Sequence, residues 1–350
     1  MMKNFEEQFS VLSSTEYEPP SLRKLRQQEF DRFKKIGFPK QSWEAWRFTS
    51  LKNLENTAFR ISSVQDLPTL RKADKDSLGI PTLLFINGHY QSDLSSLPSG
   101  LIVNTLLDSY NDDAKLIANS YESNTNPFSI LNTAMMNSGL HLHFSKDFDS
   151  DSSIRFLYLT TEISEAIMNH PRLIVDLGES TEATIVEEYR GNCSEPYWNN
   201  ALTVMRLGHN SKLDHIRIQH EAMSASHLSN TYYQAPADSA IRGSYLSTGS
   251  ALHRHDVNVV LKNKGADITL NGICLAKDNQ HTDHNIIMDH ASEHVTSRML
   301  FKYILADNSS GVFNGRAVVR ENAQKIDANQ TNNNLLLSNE ALMNSNPQLE

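Results

Sequence analysis

Val257-Asn258-Val259-Val260-Leu261 and Ile268-Thr269-Leu270-Asn271-Gly272-Ile273-Cys274-Leu275 are two short apolar runs either side of Gly265-Ala266-Asp267. In the first, Val257, Val259 and Leu261 fall on one side of an extended chain, with Asn258 and Lys262 on the other. A period of two marks a strand with one face in a core. Met299, Phe301 and Tyr303 repeat it. Similar runs occur at 154–159, 172–177, 183–189, 201–207, 213–219, 298–305 and 312–319, punctuated by Gly178, Gly191 and Gly208. So many short strands without helical stretches between them exclude a doubly wound α/β fold and leave a β-sandwich, a barrel or a β-helix. The tract Asp327-Ala328-Asn329-Gln330-Thr331-Asn332-Asn333-Asn334, followed by Leu335-Leu336-Leu337, suits stacked coils whose Asn side chains bond from turn to turn. Read alone, an ordinary polar loop explains it equally well. No strict repeat is visible, so a solenoid here is irregular.

Upstream, the pattern is helical. Leu22, Leu25, Phe30 and Phe33 recur at helical spacing after Pro19-Pro20, and Gly37 and Pro39 mark a stop. Trp43 and Trp46 read as anchors of a helix or turn on the main body. Leu83-Leu84-Phe85-Ile86 then runs into Asn87-Gly88, a hairpin turn, with another short strand at 101–103. A helix over 128–136 ends near Gly139, read as its C-cap. The expected organisation is a helical region over 1–75, a mixed α/β connection over 76–150 and a β core over 151–350.

The 350 residues are 39% hydrophobic and 21% charged, with a formal charge of -9. That supports a sizeable core and opposes a nonspecific nucleic-acid binder. Two cysteines, Cys193 and Cys274, make neither a disulfide framework nor a four-thiolate metal site. The first fourteen residues lack the apolar core of a signal peptide, and no run approaches the ~18 apolar residues of a membrane span. A soluble, cytoplasmic protein is expected.

Ten of the fourteen histidines lie between His209 and His294. His281-Thr282-Asp283-His284, Asp289-His290 and Glu293-His294 supply the lone pairs a divalent transition metal takes. A strand would point His281 and His284 to opposite faces, whereas His290 and His294 would share one. No HExxH pattern is present, so these histidines read as hydrogen-bonded groups on polar faces. In His253-Arg254-His255-Asp256, alternation sets the two imidazoles on one face and Arg254 and Asp256 on the other. No strained nucleophile motif accompanies them. Phosphate-cradling loops are absent, and Gly311-Val312-Phe313-Asn314-Gly315 reads as a β turn with close backbone packing. No catalytic, cofactor-binding or metal-ligating residue is assigned.

Motifs of higher specificity run through the chain in order. They are Glu44-Ala45-Trp46-Arg47-Phe48-Thr49-Ser50-Leu51, Phe85-Ile86-Asn87-Gly88 and Asn126-Pro127-Phe128-Ser129-Ile130-Leu131-Asn132. Arg254 through Gly272 and Gln280-His281-Thr282-Asp283-His284 follow. Then come Ser297 through Lys302, Val312-Phe313-Asn314-Gly315, Ala323-Gln324-Lys325, Asp327-Ala328-Asn329-Gln330, Asn334 through Ser338 and Pro347-Gln348-Leu349-Glu350. Together they resemble the SufB/SufD family of iron–sulfur cluster assembly scaffold proteins, and the N-terminal part looks like the SufD branch.

The resemblance implies a right-handed parallel β-helix core preceded by a helical N-terminal domain. It also implies a SufBCD complex with SufB and with the SufC ATPase. In that complex SufC supplies the nucleotide chemistry, SufB is the main site of cluster building, and SufD supports assembly and iron supply without catalysis of its own. Relatives continue beyond the position of Glu350 into a strand with a Cys-x-His pair and a helical domain that grips SufC. This sequence therefore reads as C-terminally truncated, with its SufC contact expected to need the missing helices. No cofactor is expected on the chain itself; iron or an iron–sulfur cluster is handled by the complex. An open last coil would also pair with a second copy, giving a homodimer. No nucleic acid or membrane partner is expected. The alternatives are a polysaccharide-acting enzyme on a β-helix, which needs converging carboxylates, and a histidine-based metal-transfer protein.

Overall fold

Alternating inward and outward side chains give each strand one face to bury, and here two facing sheets bury them against each other. A computed structural model describes residues 2–13, 18–68, 79–106, 125–321 and 323–350. Sheet A runs in the order β20 (Leu342–Leu349), β18 (Ser310–Val319), β16 (His281–His290), β14 (Leu252–Leu261), β12 (Ala225–Ala235), β10 (Tyr197–Arg206), β8 (Pro171–Leu177), β5 (Ser138–Phe144) and β4 (Leu101–Thr105). The short β1 (Arg60–Ile61) and β7 (Ile167–Asn169) join it at the side. Sheet B runs β19 (Asp327–Leu336), β17 (Thr296–Leu305), β15 (Asp267–Ala276), β13 (Ala240–Ser247), β11 (Lys212–His220), β9 (Glu182–Gly191), β6 (Ser153–Thr160), β2 (Thr82–Ile86) and β3 (His89–Tyr90). From β8 onward the chain alternates between the sheets, and each strand pairs in parallel with the one a coil away. The fold is a parallel β-solenoid of about seven turns. Ser226 pairs with Leu252 and Ser310 with Leu342, so one coil takes roughly thirty residues, within the range of solenoid repeats.

Val257, Val259 and Leu261 point inward with Ile268, Leu270, Met299, Phe301 and Tyr303 in one continuous core. Gly272 leaves room for a neighbour: a Cβ there would lie 2.3 Å from the Phe301 ring. The tract at Asp327 is strand rather than loop. β19 pairs with β17 in register, and Asn332 Nδ2 donates to the Phe301 carbonyl at 3.2 Å. Three sequence expectations are corrected. Gly311–Gly315 is no turn but lies inside β18, where a Cβ on Gly311 would meet Met343 Sδ at 2.7 Å. Gly139 does not cap the helix, which ends at Met136 as C-cap, and instead sits in β5. β12 and β13 are full strands that the reading of apolar runs missed, because their inward positions include His227, Ser229, Thr231 and Gly243.

The turns stack as well as the strands. Ser180, Asn210, Asp238, Gly265, His294 and Lys325 all have left-handed backbones. Ser180 N donates to the His209 carbonyl and Asn210 N to that of Ala237. Asp238 N then donates to Lys264, Gly265 N to His294 and His294 N to Gln324. Asn, Asp and Gly tolerate this conformation best, so the ladder is written in turn residues rather than apolar ones.

Helices α1 (Met2–Ser13), α2 (Pro20–Ile36), α3 (Lys52–Asn56) and α4 (Pro127–Met135), with a 3₁₀ turn at Glu44–Trp46, cover the outer face of sheet A. Asn126 caps α4, accepting from Phe128 N at 2.9 Å, with Pro127 in the first turn. An aromatic cluster built on Phe5, Phe38, Phe128 and the fully buried Trp198 joins helices to sheet. The expected boundary at 75/76 lies outside the described residues. Among the described residues, no helix is long and apolar enough to cross a membrane.

Candidate functional site

Part of the solenoid interior is polar. On sheet B the inward column Glu187, Arg217, Tyr245 is in register with β15, and on sheet A the columns Asn199, His227, His253 and Ser229, His255, His284 face it. All of these side chains are buried. Glu187 accepts from His215 Nε2 at 2.9 Å, Thr203 Oγ1 at 2.7 Å and the Tyr189 hydroxyl at 3.0 Å. A carboxylate only accepts, so the His215 proton facing it is on Nε2. His215 Nδ1 lies 2.6 Å from the Tyr233 hydroxyl, which is 2.9 Å from that of Tyr245. A second pair follows: His227 Nδ1 meets Glu221 Oε2 at 2.6 Å, while Arg217 Nη2 donates to His227 Nε2 at 2.5 Å and to Ser229 Oγ at 2.9 Å. Guanidinium only donates, so in the neutral ring the His227 proton sits on Nδ1, which lies close to the carboxylate without the geometry of a hydrogen bond.

The next three imidazoles have no carboxylate. Tyr303 donates to the Val312 carbonyl at 2.9 Å and so accepts from His284 Nδ1 at 2.7 Å. His255 Nε2 is 2.9 Å from Thr231 Oγ1, and His253 Nε2 is 3.5 Å from Arg217 Nη1. The Nδ1 atoms of His253 and His255 have no hydrogen-bond partner among the described residues. Burial works against the charge of Glu187, but His215, Arg217 and Thr203 together outweigh it and bring its pKa down to about 2. Burial, with the charge of Arg217, pushes His284 down to about 3, and burial leads the same effect well below the ordinary value at His253 and His255. These three rings are neutral at neutral pH.

A third assembly ties the helical segment to the solenoid. Arg254, fully buried on the outer face of β14, donates to Asp256 Oδ2 at 3.0 Å and Oδ1 at 2.8 Å, to the Ala45 carbonyl at 2.8 Å, and to Asp283. Its guanidinium carbon lies 3.7 Å from the centroid of the Trp46 ring. Thr49 Oγ1 donates to Asp283 at 2.5 Å and is 2.9 Å from His281 Nε2. The three motifs at Glu44–Leu51, Arg254 and His281–Asp283 thus converge on one clasp. Trp46 is the buried anchor; Trp43, read with it as an anchor, is exposed.

The histidine-rich segment does not form one site. His281 and His284 point to opposite sides of β16, as alternation requires, the first to the clasp and the second into the core. His290 is buried between Val318 O and Ser297 Oγ, while His294 lies in a left-handed turn and is exposed. Their expected shared face is therefore corrected: the strand ends between them. His253 and His255 do share the inward face, opposite Arg254 and Asp256. Among the described residues, no group of three or more His, Cys, Asp or Glu side chains is arranged to hold a metal ion. Cys193 and Cys274 are both buried, and burial pushes the Cys274 thiol up to about 12. Sequence reading missed Glu187, His215, Arg217, Glu221 and His227. Their only signal was the alternation Leu213, His215, Arg217, Gln219, in which the inward residues turn polar.

Two family descriptions divide the chain between them. "SufBD protein N-terminal region" matches residues 2–156, and "SUF system FeS cluster assembly, SufBD core domain" matches residues 158–350. An iron–sulfur cluster assembly SufBD family protein of Synechocystis is 27% identical over 93% of this chain and 75% of its own length. The iron–sulfur cluster assembly protein SufD of Escherichia coli is 26% identical over 93% of this chain and 76% of its own. SufD of Bacillus subtilis is 21% identical over 98% and 81%. With the core description matching more than half of the residues, on a parallel solenoid, and the N-terminal description matching those before it, the chain belongs to the SufBD family of iron–sulfur cluster assembly proteins.

Proposed function

We propose that the chain is a SufD-type scaffold subunit that works with a SufB-type partner and a SufC-type ATPase, supports iron supply to the growing cluster, and catalyses no reaction alone. The observation that carries this reading is the use made of the family motifs. Glu44–Leu51, Arg254 and His281–Asp283 build the clasp that holds the helices on the solenoid, so these distinctive residues hold the structure together. The interior carboxylates Glu187 and Glu221 are paired and closed off from solvent, which does not suit the acid and base of a polysaccharide-acting enzyme. Iron and the cluster are cargo of the assembly in this reading, and the cytoplasm is its compartment. The resemblance of the chain to SufD of two bacteria favours the SufD role over the SufB role.

The test measures cluster formation on the SufB-type partner, with iron, a sulfur source, ATP and the SufC-type ATPase supplied, in the presence and absence of this chain. Faster or more complete formation with the chain, together with no ATP turnover by the chain alone, is expected. Equal formation without it, or ATP turnover abolished by a point change in it, would overturn the reading.

A further inference from the structure

We propose that His253, His255 and His284 form an acid-responsive seam, which holds the coils around β14 and β16 closed at neutral pH and lets them open on acidification. The three rings stand on neighbouring strands of sheet A, with ring centroids 5.3 Å apart for His253 and His284 and 6.2 Å for His255 and His284. His227 on β12 lies 5.6 Å from His253. Across the interior they face Arg217 on β11, Tyr245 on β13 and Tyr303 on β17, with Cys274 on β15 in register beside Tyr303. The nearby carboxylates are committed elsewhere, Glu187 to His215 and Glu221 to His227. On the other face of the same strands, Arg254, Asp256, His281 and Asp283 belong to the clasp, and at the far end of β16 His290 meets Ser297.

A proton added to any of the three rings therefore meets the positive charge of Arg217 and no counter-ion of its own. His215 and His227 each have a carboxylate in contact, although burial still holds His227 below its ordinary value. The burial of the three rings holds each below its ordinary value while the coil is closed. Opening to water restores that ordinary value, near 6.5. Such a group stabilises the closed form fully above its open-state value and loses that contribution as pH falls below it. Between pH 7.5 and 5.5 each ring shifts the closed–open balance about tenfold, so three shift it on the order of a thousandfold.

Hydrogen exchange of the full chain, read by mass spectrometry and corrected for the intrinsic pH dependence of exchange, tests this. Protection of the β14 and β16 amides should fall by roughly a thousandfold or more from pH 7.5 to 5.5. His253→Gln, His255→Gln and His284→Asn should each remove about tenfold of that dependence. A fall below about tenfold in the wild type, or the same dependence in every folded variant, overturns the seam. Exchange of the histidine C2 hydrogens in the wild type supplies a reading free of variants. Inflections well below the ordinary value near 6.5 for the three rings support the proposal, and inflections at that value in the folded chain overturn it.

Discussion

Arg254 shows how far one residue reaches. Its guanidinium joins a carbonyl 209 residues earlier in the chain, two aspartates on sheet A and the face of Trp46. Removing one partner of a buried charge set leaves the others uncompensated. Arg254→Ala should therefore lower unfolding stability by about 3–5 kcal/mol in a urea titration, with tryptophan emission from the helical segment shifting to longer wavelength. Arg254→Lys should recover little of this, because an ammonium cannot donate in a fork to Asp256. Inside the solenoid, Glu187→Gln tests the contact between Glu187 and His215. The amide sets a donor or a neutral acceptor against His215, and a loss of about 3–5 kcal/mol is expected by the same titration. A loss under about 1 kcal/mol would mean that the network does not depend on the carboxylate. The opposite facings of His253 and Arg254 were legible from the period of two. Their partners were not, since no local pattern encodes a contact with Ala45, Asp283 or Arg217.

At the scale of elements, legibility followed chemistry. β15, β17 and the second half of β14 carry apolar inward residues and were read directly, whereas β12 and β13 carry His, Ser, Thr and Gly inward. The tract at β19 kept two readings because its inward residues are amides; neighbouring strands decide between loop and ladder, and a single segment does not contain them. The stacked turns were visible only as scattered Gly, Asn and Asp, and their alignment needs the coil length. At Gly265 the left-handed backbone is joined by crowding, since a Cβ would lie 2.1 Å from Asp238 Oδ1. Gly265→Ala should lower the melting stability by about 1–2 kcal/mol from backbone strain alone, measured by thermal or urea unfolding. Lys325→Gly relieves the same strain where a side chain already bears it, so a change within about 1 kcal/mol is expected.

The whole molecule is a solenoid with one face of sheet A covered by helices and an interior that is apolar in part and polar in part. Its acid sensitivity extends beyond the seam, because His170, beside Trp198, is also held down to about 3 by burial and by the charge of Arg26. Urea midpoints should therefore fall as pH drops from 6.5 toward 5 and stay level above 7.5 as far as these imidazoles are concerned. The family and the β-helix were legible in the ordered motifs, while the polar interior was not, because inward polarity has no sequence signature apart from the fold that makes a position inward. The scaffold role is tested most directly by co-purification. The tagged 350-residue chain is co-expressed with a SufB-type subunit and a SufC-type ATPase, and the recovered subunits are quantified. Retention of the SufB-type subunit near one-to-one with the chain is the expected result; recovery of the folded chain alone, while the other two associate with each other, would contradict it.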